Sequence, residues 1–360
     1  MYFDIKPKTK REDLFGVDYA LRSLIGYLSD NTTRMIVIKG LRRMGKTSLL
    51  NVALNESKVD SVKIDVRESP YYDKKEFLRF LVSKMKQKTG ESLVHKIVKK
   101  ISGFAVGYKD LSATILLSKG ENLALFFDNF NKQLAKKKKK FILAFDEVQL
   151  LKQIGFDFVL ASIFDNYSHI KLLLTGSEIG LLDKFLGKKI YKAPLFGRGY
   201  FEIGLKRIKE EEATRFLEEG FKQIKKKIGI EEIKEVIENF DGIIGWITHY
   251  GWLRSKAISH EKAIEKVKEE GKELSKRELG DFLKARRAKS KYMKILKYLT
   301  HGNNSWSMLK YSFEKEGIKV TDSQLSLYLK ELIDYSFIEK ANCKYAISDP
   351  MMLKAAREQD

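Results

Sequence analysis

Apolar positions along the chain follow two periods, and the switches between them mark the elements. Met35-Ile36-Val37-Ile38, Phe141-Ile142-Leu143-Ala144-Phe145 and Ile170-Lys171-Leu172-Leu173-Leu174 are short, nearly unbroken apolar runs, and Val62-Lys63-Ile64-Asp65-Val66 alternates. Each reads as a strand. Before the first of them, Tyr19, Leu21, Leu24, Ile25 and Leu28 form a helical stripe that stops at Ser29-Asp30-Asn31. Helical character follows Thr47, and a long helical stretch from Lys74 to Lys137 has breaks at Gly90, Gly103, Gly107 and Gly120. Strands alternating with helices predict an α/β fold, a parallel sheet covered on both faces. Tyr200 to Leu205 reads as its last strand.

Beyond that strand the pattern changes twice. From Lys209 to about Ser290 it is helical throughout, punctuated by Gly220, Gly229, Gly242, Gly245 and Gly271. It then gives helices at Tyr292 to Thr300, Ser305 to Glu316 and from Thr321, followed by a hairpin of Phe337 to Lys340 and Lys344 to Ile347. Three helices and a β-ribbon make a winged helix-turn-helix. The expected organisation is an α/β domain over 1–207, an all-α lid over 208–283 and a winged helix domain over 284–360.

Composition narrows the chemistry. A single cysteine, Cys343, excludes a disulfide framework and multi-thiolate metal sites, and with no leader-like start it points to the cytoplasm. No apolar run reaches the roughly 20 residues that span a bilayer, so membrane insertion is not expected. The net charge of +21 favours nucleic acid, anionic lipid or phosphorylated ligands without choosing among them.

The sharpest motif is Gly40-Leu41-Arg42-Arg43-Met44-Gly45-Lys46-Thr47, a G-x-x-x-x-G-K-[ST] loop between a strand and a helix. Its backbone N–H groups, from Gly40 through Ser48, would wrap a polyphosphate at the positive end of the helix. Lys46 would reach the β/γ oxygens and Thr47 would ligate Mg²⁺. Asp146 and Glu147 end a hydrophobic strand where a parallel sheet presents groups to ligands. Asp146 there can hold Mg²⁺ through water, and Glu147 can polarise an attacking water. Such a pair points to hydrolysis rather than transfer to a small acceptor. None of the five histidines has metal-ligand spacing with another His or Cys.

The chain resembles the archaeal AAA-type P-loop ATPases, related to the STAND class of signal-transduction NTPases. The resemblance rests on Leu14-Phe15-Gly16, Gly40 to Thr47, Phe145-Asp146-Glu147-Val148-Gln149, Leu174-Thr175-Gly176-Ser177, Pro194-Leu195-Phe196-Gly197-Arg198 and Gly242 to Trp246. It implies a P-loop NTPase sheet in which the Thr175 strand lies between the phosphate-loop and Asp146 strands. That would place Thr175 or Ser177 near the γ-phosphate; a Ser capping the following helix is the alternative. It also implies that Leu14 and Phe15 pack on adenine, where a hydrophobic staple is the other reading. Arg198 becomes an arginine finger, within the chain or from a neighbouring subunit, or else a surface arginine paired with acidic residues of the helical lid. Gly242 to Trp246 occupies the place of a Gly-Gly-x-Pro turn but has separated glycines and no proline, which makes Trp246 and Trp252 core residues. Tyr108 and Lys109 fall in a glycine-spaced insertion expected to fold over the site.

The implied activity is hydrolysis of Mg-ATP to ADP, driving a conformational switch passed to the winged helix; the alternative is a slow nucleotide-dependent regulator or adaptor. DNA, a protein client and a second copy of the chain are the candidate partners. For DNA, the third winged-helix helix would present Ser323, Gln324, Ser326, Tyr328 and Lys330. Arg286, Arg287 and Lys289 either grip phosphates or form a solvated face. Residues 281–360 carry 15 Lys and Arg against 10 Asp and Glu, so the basic excess is diffuse.

Overall fold

A computed structural model of the chain describes residues 1–89, 120–188 and 190–357. The expected breaks at Gly90, Gly103 and Gly107, and Tyr108 and Lys109, lie outside the described residues. In the first region the order is α1 (Asp18–Ser29), β1 (Met35–Lys39), α2 (Lys46–Glu56), β2 (Asp60–Asp65) and α3 (Lys74–Thr89). Then come α4 (Gly120–Lys136), β3 (Phe141–Asp146), α5 (Phe156–Asn166), β4 (Ile170–Gly176), α6 (Ile179–Phe185) and β5 (Phe201–Gly204).

The five strands form one sheet in the order β2-β3-β4-β1-β5, with every pairing parallel. The unbroken apolar runs β1, β3 and β4 are buried along their whole length, whereas the alternating β2 is a half-exposed edge. Successive residues serve opposite faces: Ile36 and Ile38 pack with Leu21, Leu24, Leu49 and Leu50 of α1 and α2. Met35 and Val37 pack on the other face with Phe77, Phe126, Phe130 and Leu160 of α3 to α5. β4 does lie between β1 and β3, with Ile38 opposite Thr175 and Phe145 opposite Leu174. The carboxyl ends of these three strands therefore meet at one edge, which sets the Gly40 loop, Asp146 and the Thr175-Gly176-Ser177 turn side by side.

The helical lid comprises α7 (Glu210–Gln223), α8 (Ile230–Phe240), α9 (Ile244–Ser255) and α10 (His260–Lys284). Its core joins Phe216, Phe221, Phe240, Trp246 and Tyr250 with Phe3 from the amino-terminal segment, and it also takes in Met44 from the phosphate loop. The winged helix follows as α11 (Lys289–Thr300), α12 (Trp306–Lys315), α13 (Asp322–Asp334) and the antiparallel hairpin β6 (Ile338–Ala341) and β7 (Lys344–Ile347). A helix not expected from the sequence, α14 (Pro350–Arg357), closes the fold. Its Met351 enters the lid core while Met352 and Ala356 enter the winged-helix core. Leu279 and Phe282 of α10 belong to the winged-helix core as well, so the lid's last helix runs continuously into the third region.

Candidate nucleotide site

Glycine makes the phosphate loop's turn. Gly45 has φ +81°, a left-handed conformation that costs a glycine little, and α2 starts at the next residue with Leu49 N–H bonding the Gly45 carbonyl. Arg43 is left-handed too, at φ +65°, and for a non-glycine residue such a conformation costs about 1–3 kcal/mol unless neighbours impose it. Here they do. Its guanidinium lies 4.1 Å from the Trp246 ring centroid and pairs with Glu278 (3.4 Å) and Asp349 (3.7 Å), and its carbonyl accepts from Gly245 N–H at 3.0 Å. A Cβ on Gly245 would sit 2.6 Å from the Arg43 Cβ, so the lid approaches the loop as closely as backbone allows. Burial pushes the Asp349 carboxyl up, against the pull of Arg43.

Lys46 is buried and donates to the carbonyls of Gly40 (2.9 Å) and Leu41 (2.7 Å). Burial pushes its ammonium down to about 8, with Glu147 and Asp146 pulling the other way. Thr47 Oγ1 donates to Asp146 Oδ2 at 2.7 Å, and Thr175 Oγ1 donates to Asp146 Oδ1. Asp146 is fully buried, so its carboxylate is held by hydroxyls from two neighbouring elements. A threonine hydroxyl beside a carboxylate, both hard oxygen donors, suits a Mg²⁺ ion that draws its remaining ligands from water and phosphate. Among the described residues no cluster of three or more His, Cys, Asp or Glu could hold a metal by itself, so the donor set fits an ion that arrives with a polyphosphate.

Glu147 follows Asp146 in a left-handed turn, φ +58°, which swings its side chain away from the strand. Its Oε2 accepts from Ser177 N–H (3.0 Å), Ser177 Oγ–H (2.9 Å) and Gln149 Nε2 (2.8 Å). Burial alone would raise this carboxyl, but the Lys46 charge and these bonds outweigh it and leave it below the ordinary value. Ser177 thus meets Glu147, and Thr175 meets Asp146.

A cavity of about 1000 Å³ opens over this edge, between the phosphate loop, the amino-terminal segment and the lid. Arg42 to Ser48, Glu147, Ser177, Leu14 and Phe15 all line it, with Gly40 and Asp146 just behind the wall. Phe15 meets the rings of Tyr2 and Phe216 edge-on, forming an apolar wall where adenine was expected. Trp246 belongs to the lid core and Trp252 packs against it, as expected, and both also reach the cavity, where the Trp246 ring is the platform under Arg43. The lack of proline in Gly242 to Trp246 does not remove the segment from the site, because contact is made by the Gly245 backbone.

Arg198 is the candidate the structure keeps apart. It does not line the cavity; its Nε donates to Asp165 Oδ1 at 2.9 Å, and its Nη groups reach Asp165 and the Pro194 carbonyl. In this structure Arg198 is thus the partner of Asp165 on α5 rather than of the cavity. Sequence reasoning passed over Gln149 and Glu178, although each follows a motif residue directly: Gln149 two places after Glu147, Glu178 next to Ser177. Arg67 and Lys8, which also line the cavity, carry no motif signal.

Residues 18–249 match the model of a family described as an ATPase domain predominantly from Archaea. The chain belongs to this family. A second model, the MCM protein C-terminal winged helix-turn-helix domain, matches residues 286–348 of this archaeal-type ATPase. Among solved structures it is similar to the Walker-type ATPase PABY2304 of Pyrococcus abyssi, at 29% identity and TM-score 0.80, over 99% of this chain and 100% of that one. It shares its fold with the Aeropyrum pernix ORC2 protein, solved as ADPNP-ADP complexes, at 14% identity and TM-score 0.56, over 99% of this chain and 95% of that one. No curated protein sequence matches it.

On the winged helix, Ser323, Gln324, Ser326 and Lys330 are exposed, but Tyr328 is buried and packs on Tyr292, which removes it from the outward set. Gln324 bonds Thr321 in a capping box, and Ser326 accepts from Trp306 Nε1 at 3.2 Å. Arg286 stacks 3.5 Å from the Phe282 ring centroid and bonds Glu331, so it holds the fold together while Arg287 and Lys289 face outward. Among the described residues no helix is long and apolar enough to cross a membrane.

Proposed function

We propose that the protein binds Mg-ATP in this cavity and hydrolyses it to ADP. One observation carries the reading: Lys46, Thr47, Glu147 and Ser177, with Asp146 just behind them, come from three segments and converge on one cavity at the carboxyl edge of the sheet. The loop amides and Lys46 bind the β- and γ-phosphates, and Lys46 exchanges its two carbonyl partners for phosphate oxygens. Thr47 and Asp146 hold the magnesium, which when bound neutralises developing charge on the phosphates. Glu147 orients the attacking water and accepts its proton, while Ser177 fixes the Glu147 carboxylate. Leu14, Phe15 and Phe216 form the apolar wall for the base.

The lid touches the phosphate loop through Gly245 and Trp246, and the Trp246 Nε1 donates to Asp349 at 3.1 Å beside the winged helix. A change in the loop on hydrolysis would therefore reach the lid and tail together, which supports a nucleotide-driven switch whose output is made by the winged helix on DNA or a protein. The second reading, a slow regulator, draws on the three bonds that already hold Glu147. Turnover of the full chain, measured with and without duplex DNA, separates them. Glu147→Gln should keep ATP affinity within about twofold and cut turnover by about 100-fold or more. Turnover retained in that variant would remove Glu147 as the base. Tight ATP binding with negligible wild-type turnover would favour the regulator.

A further inference from the structure

Glu147 is held by a single oxygen. All three of its hydrogen bonds fall on Oε2, and among the described residues none reaches Oε1, which stays available to a water. One donor, the buried Gln149 amide, is shared: its Nε2 also donates to Glu178 Oε2 at 3.3 Å. Both Gln149 N–H groups are aimed at carboxylates, while its Oε1 is buried without a partner. The amide fits because residue 176 is glycine; a Cβ there would lie 2.5 Å from Gln149 Oε1.

The connections continue outward. Glu178 Oε1 accepts from Arg42 Nη2 at 2.9 Å, and Arg42 Nη1 reaches the Tyr335 carbonyl at 3.5 Å, in the turn between α13 and β6. The same turn is seated on α6 at two more points. Ile179 N–H donates to Ser336 Oγ at 2.9 Å, and Lys184 pairs with Asp334. A continuous polar path thus runs Glu147, Gln149, Glu178, Arg42, Tyr335.

We propose that Gln149 and Glu178 are positioning residues for Glu147 and that, through Arg42, they make its orientation depend on the seating of the winged-helix turn 334–336. This rests on the reading of the cavity as an ATP-hydrolysing site. With the turn seated, Arg42 anchors Glu178, Glu178 anchors the Gln149 amide, and the amide completes the grip on Oε2 that aims Oε1 at water. With the turn displaced, Arg42 loses the Tyr335 carbonyl and is left with its acidic partners Glu178 and Glu278 (3.5 Å), so its hold on Glu178 is less fixed and the grip loosens. The consequence falls on turnover rather than on ATP affinity, because neither Gln149 nor Glu178 takes part in phosphate binding. A partner that pulls on the winged helix would thereby change the rate of hydrolysis at the other end of the path.

Steady-state hydrolysis by the full chain, with ATP KM read alongside kcat, tests this. Gln149→Ala and Glu178→Ala should each lower kcat about tenfold with KM within about twofold. Glu178→Gln keeps the length of the side chain and one acceptor oxygen, for Gln149 or for Arg42 but not for both, so its loss should be smaller than that of Glu178→Ala, about threefold, which also covers misfolding of the alanine variant. The distant pair Asp334→Ala with Ser336→Ala should lower kcat about threefold with KM unchanged. Wild-type kcat in the Gln149 or Glu178 alanine variants, equal losses in Glu178→Ala and Glu178→Gln, or an unaffected distant pair would each overturn the proposal. Hydrogen exchange over residues 334–338 reads the path without turnover: Glu178→Ala should speed it several-fold, and unchanged exchange would overturn the path. If the wild type binds ATP but does not hydrolyse it, the proposed activity fails while the exchange result still decides the path.

Discussion

The nucleotide cavity and the outward face of the winged helix are both polar, yet they use polar residues in opposite ways. Around the cavity Lys46, Asp146, Glu147, Gln149, Ser177 and Glu178 are all buried, each with hydrogen-bond partners, and two non-glycine residues, Arg43 and Glu147, are held in left-handed conformations. On α13 four of the five residues expected to face a ligand are exposed, Tyr328 being buried, and two of those four, Gln324 and Ser326, bond instead to their own fold. Burial with strain is costly, and it persists where function over-determines it; exposure costs little and so says little. The cavity therefore specifies chemistry, whereas the winged-helix face specifies only a shape.

The strongest way to break that contrast is at Lys46. Lys46→Ala removes the ammonium proposed to meet the phosphates, and ATP affinity should fall by about 100-fold or more, read by calorimetry. A smaller loss would mean that the loop amides alone supply the binding and that the buried cation serves the fold.

Proton linkage sharpens the same point with a smaller effect. Lys46 sits at about 8 in the free protein because it is buried, and phosphate would raise it by supplying a counter-charge. Binding must then take up a proton above that value, so ATP affinity should weaken by up to about tenfold per pH unit above pH 8 and stay flat below it. Stability of the free protein has the opposite sign. The folded value lies below the unfolded 10.5, so the unfolded chain holds more protons between about 8 and 10.5, and stability rises with pH across that window. Lys8, on the same cavity wall, is also pushed down to about 8 by burial, so the affinity profile should survive in Lys8→Met and vanish only with Lys46. A pH-independent affinity would place the Lys46 charge outside the binding event.

On the winged helix the expected effect is weaker still. Arg287→Ala with Lys330→Ala should reduce the salt slope of duplex-DNA binding by about two, roughly one per phosphate contact, with ATP affinity untouched. Arg286→Ala, by contrast, should cost stability rather than DNA affinity, because its guanidinium is stacked on Phe282 and bonded to Glu331. A slope unchanged in the double variant would leave the winged helix as a packing element.

What the sequence disclosed follows the same division. Unbroken apolar runs marked the buried strands, and the glycine-lysine-threonine loop with its acidic pair marked the sheet edge where they end, because each pattern is forced by a local backbone requirement. The strand order was implied by resemblance, and β4 between β1 and β3 agrees with it. Gln149 and Glu178 stayed hidden since their partners come from other segments, and nothing in a residue's neighbours along the chain says that a carboxylate waits across a sheet. Trp246 was legible as core and is core; its apolar signature could not show that the ring also carries Arg43 of the phosphate loop. The α14 helix was too short, at eight residues, for its period to stand out.

Arg198 offers the smallest effect and the most discriminating one. Within the chain it is a partly exposed partner of Asp165, and such surface pairs contribute about 0–1 kcal/mol. Arg198→Ala should accordingly change turnover per site by less than about twofold in dilute protein and shift the denaturation midpoint only slightly. Arg198 does not line the cavity of its own chain, so a catalytic part for it calls for a different placement of this loop or for a second copy of the chain. Turnover per site measured against protein concentration decides this: a wild-type rate that climbs with concentration while Arg198→Ala stays flat would move the arginine from the surface into a neighbour's site. Parallel curves would leave it as an ordinary ion pair, and would confine the hydrolytic machinery to the buried residues at the sheet edge.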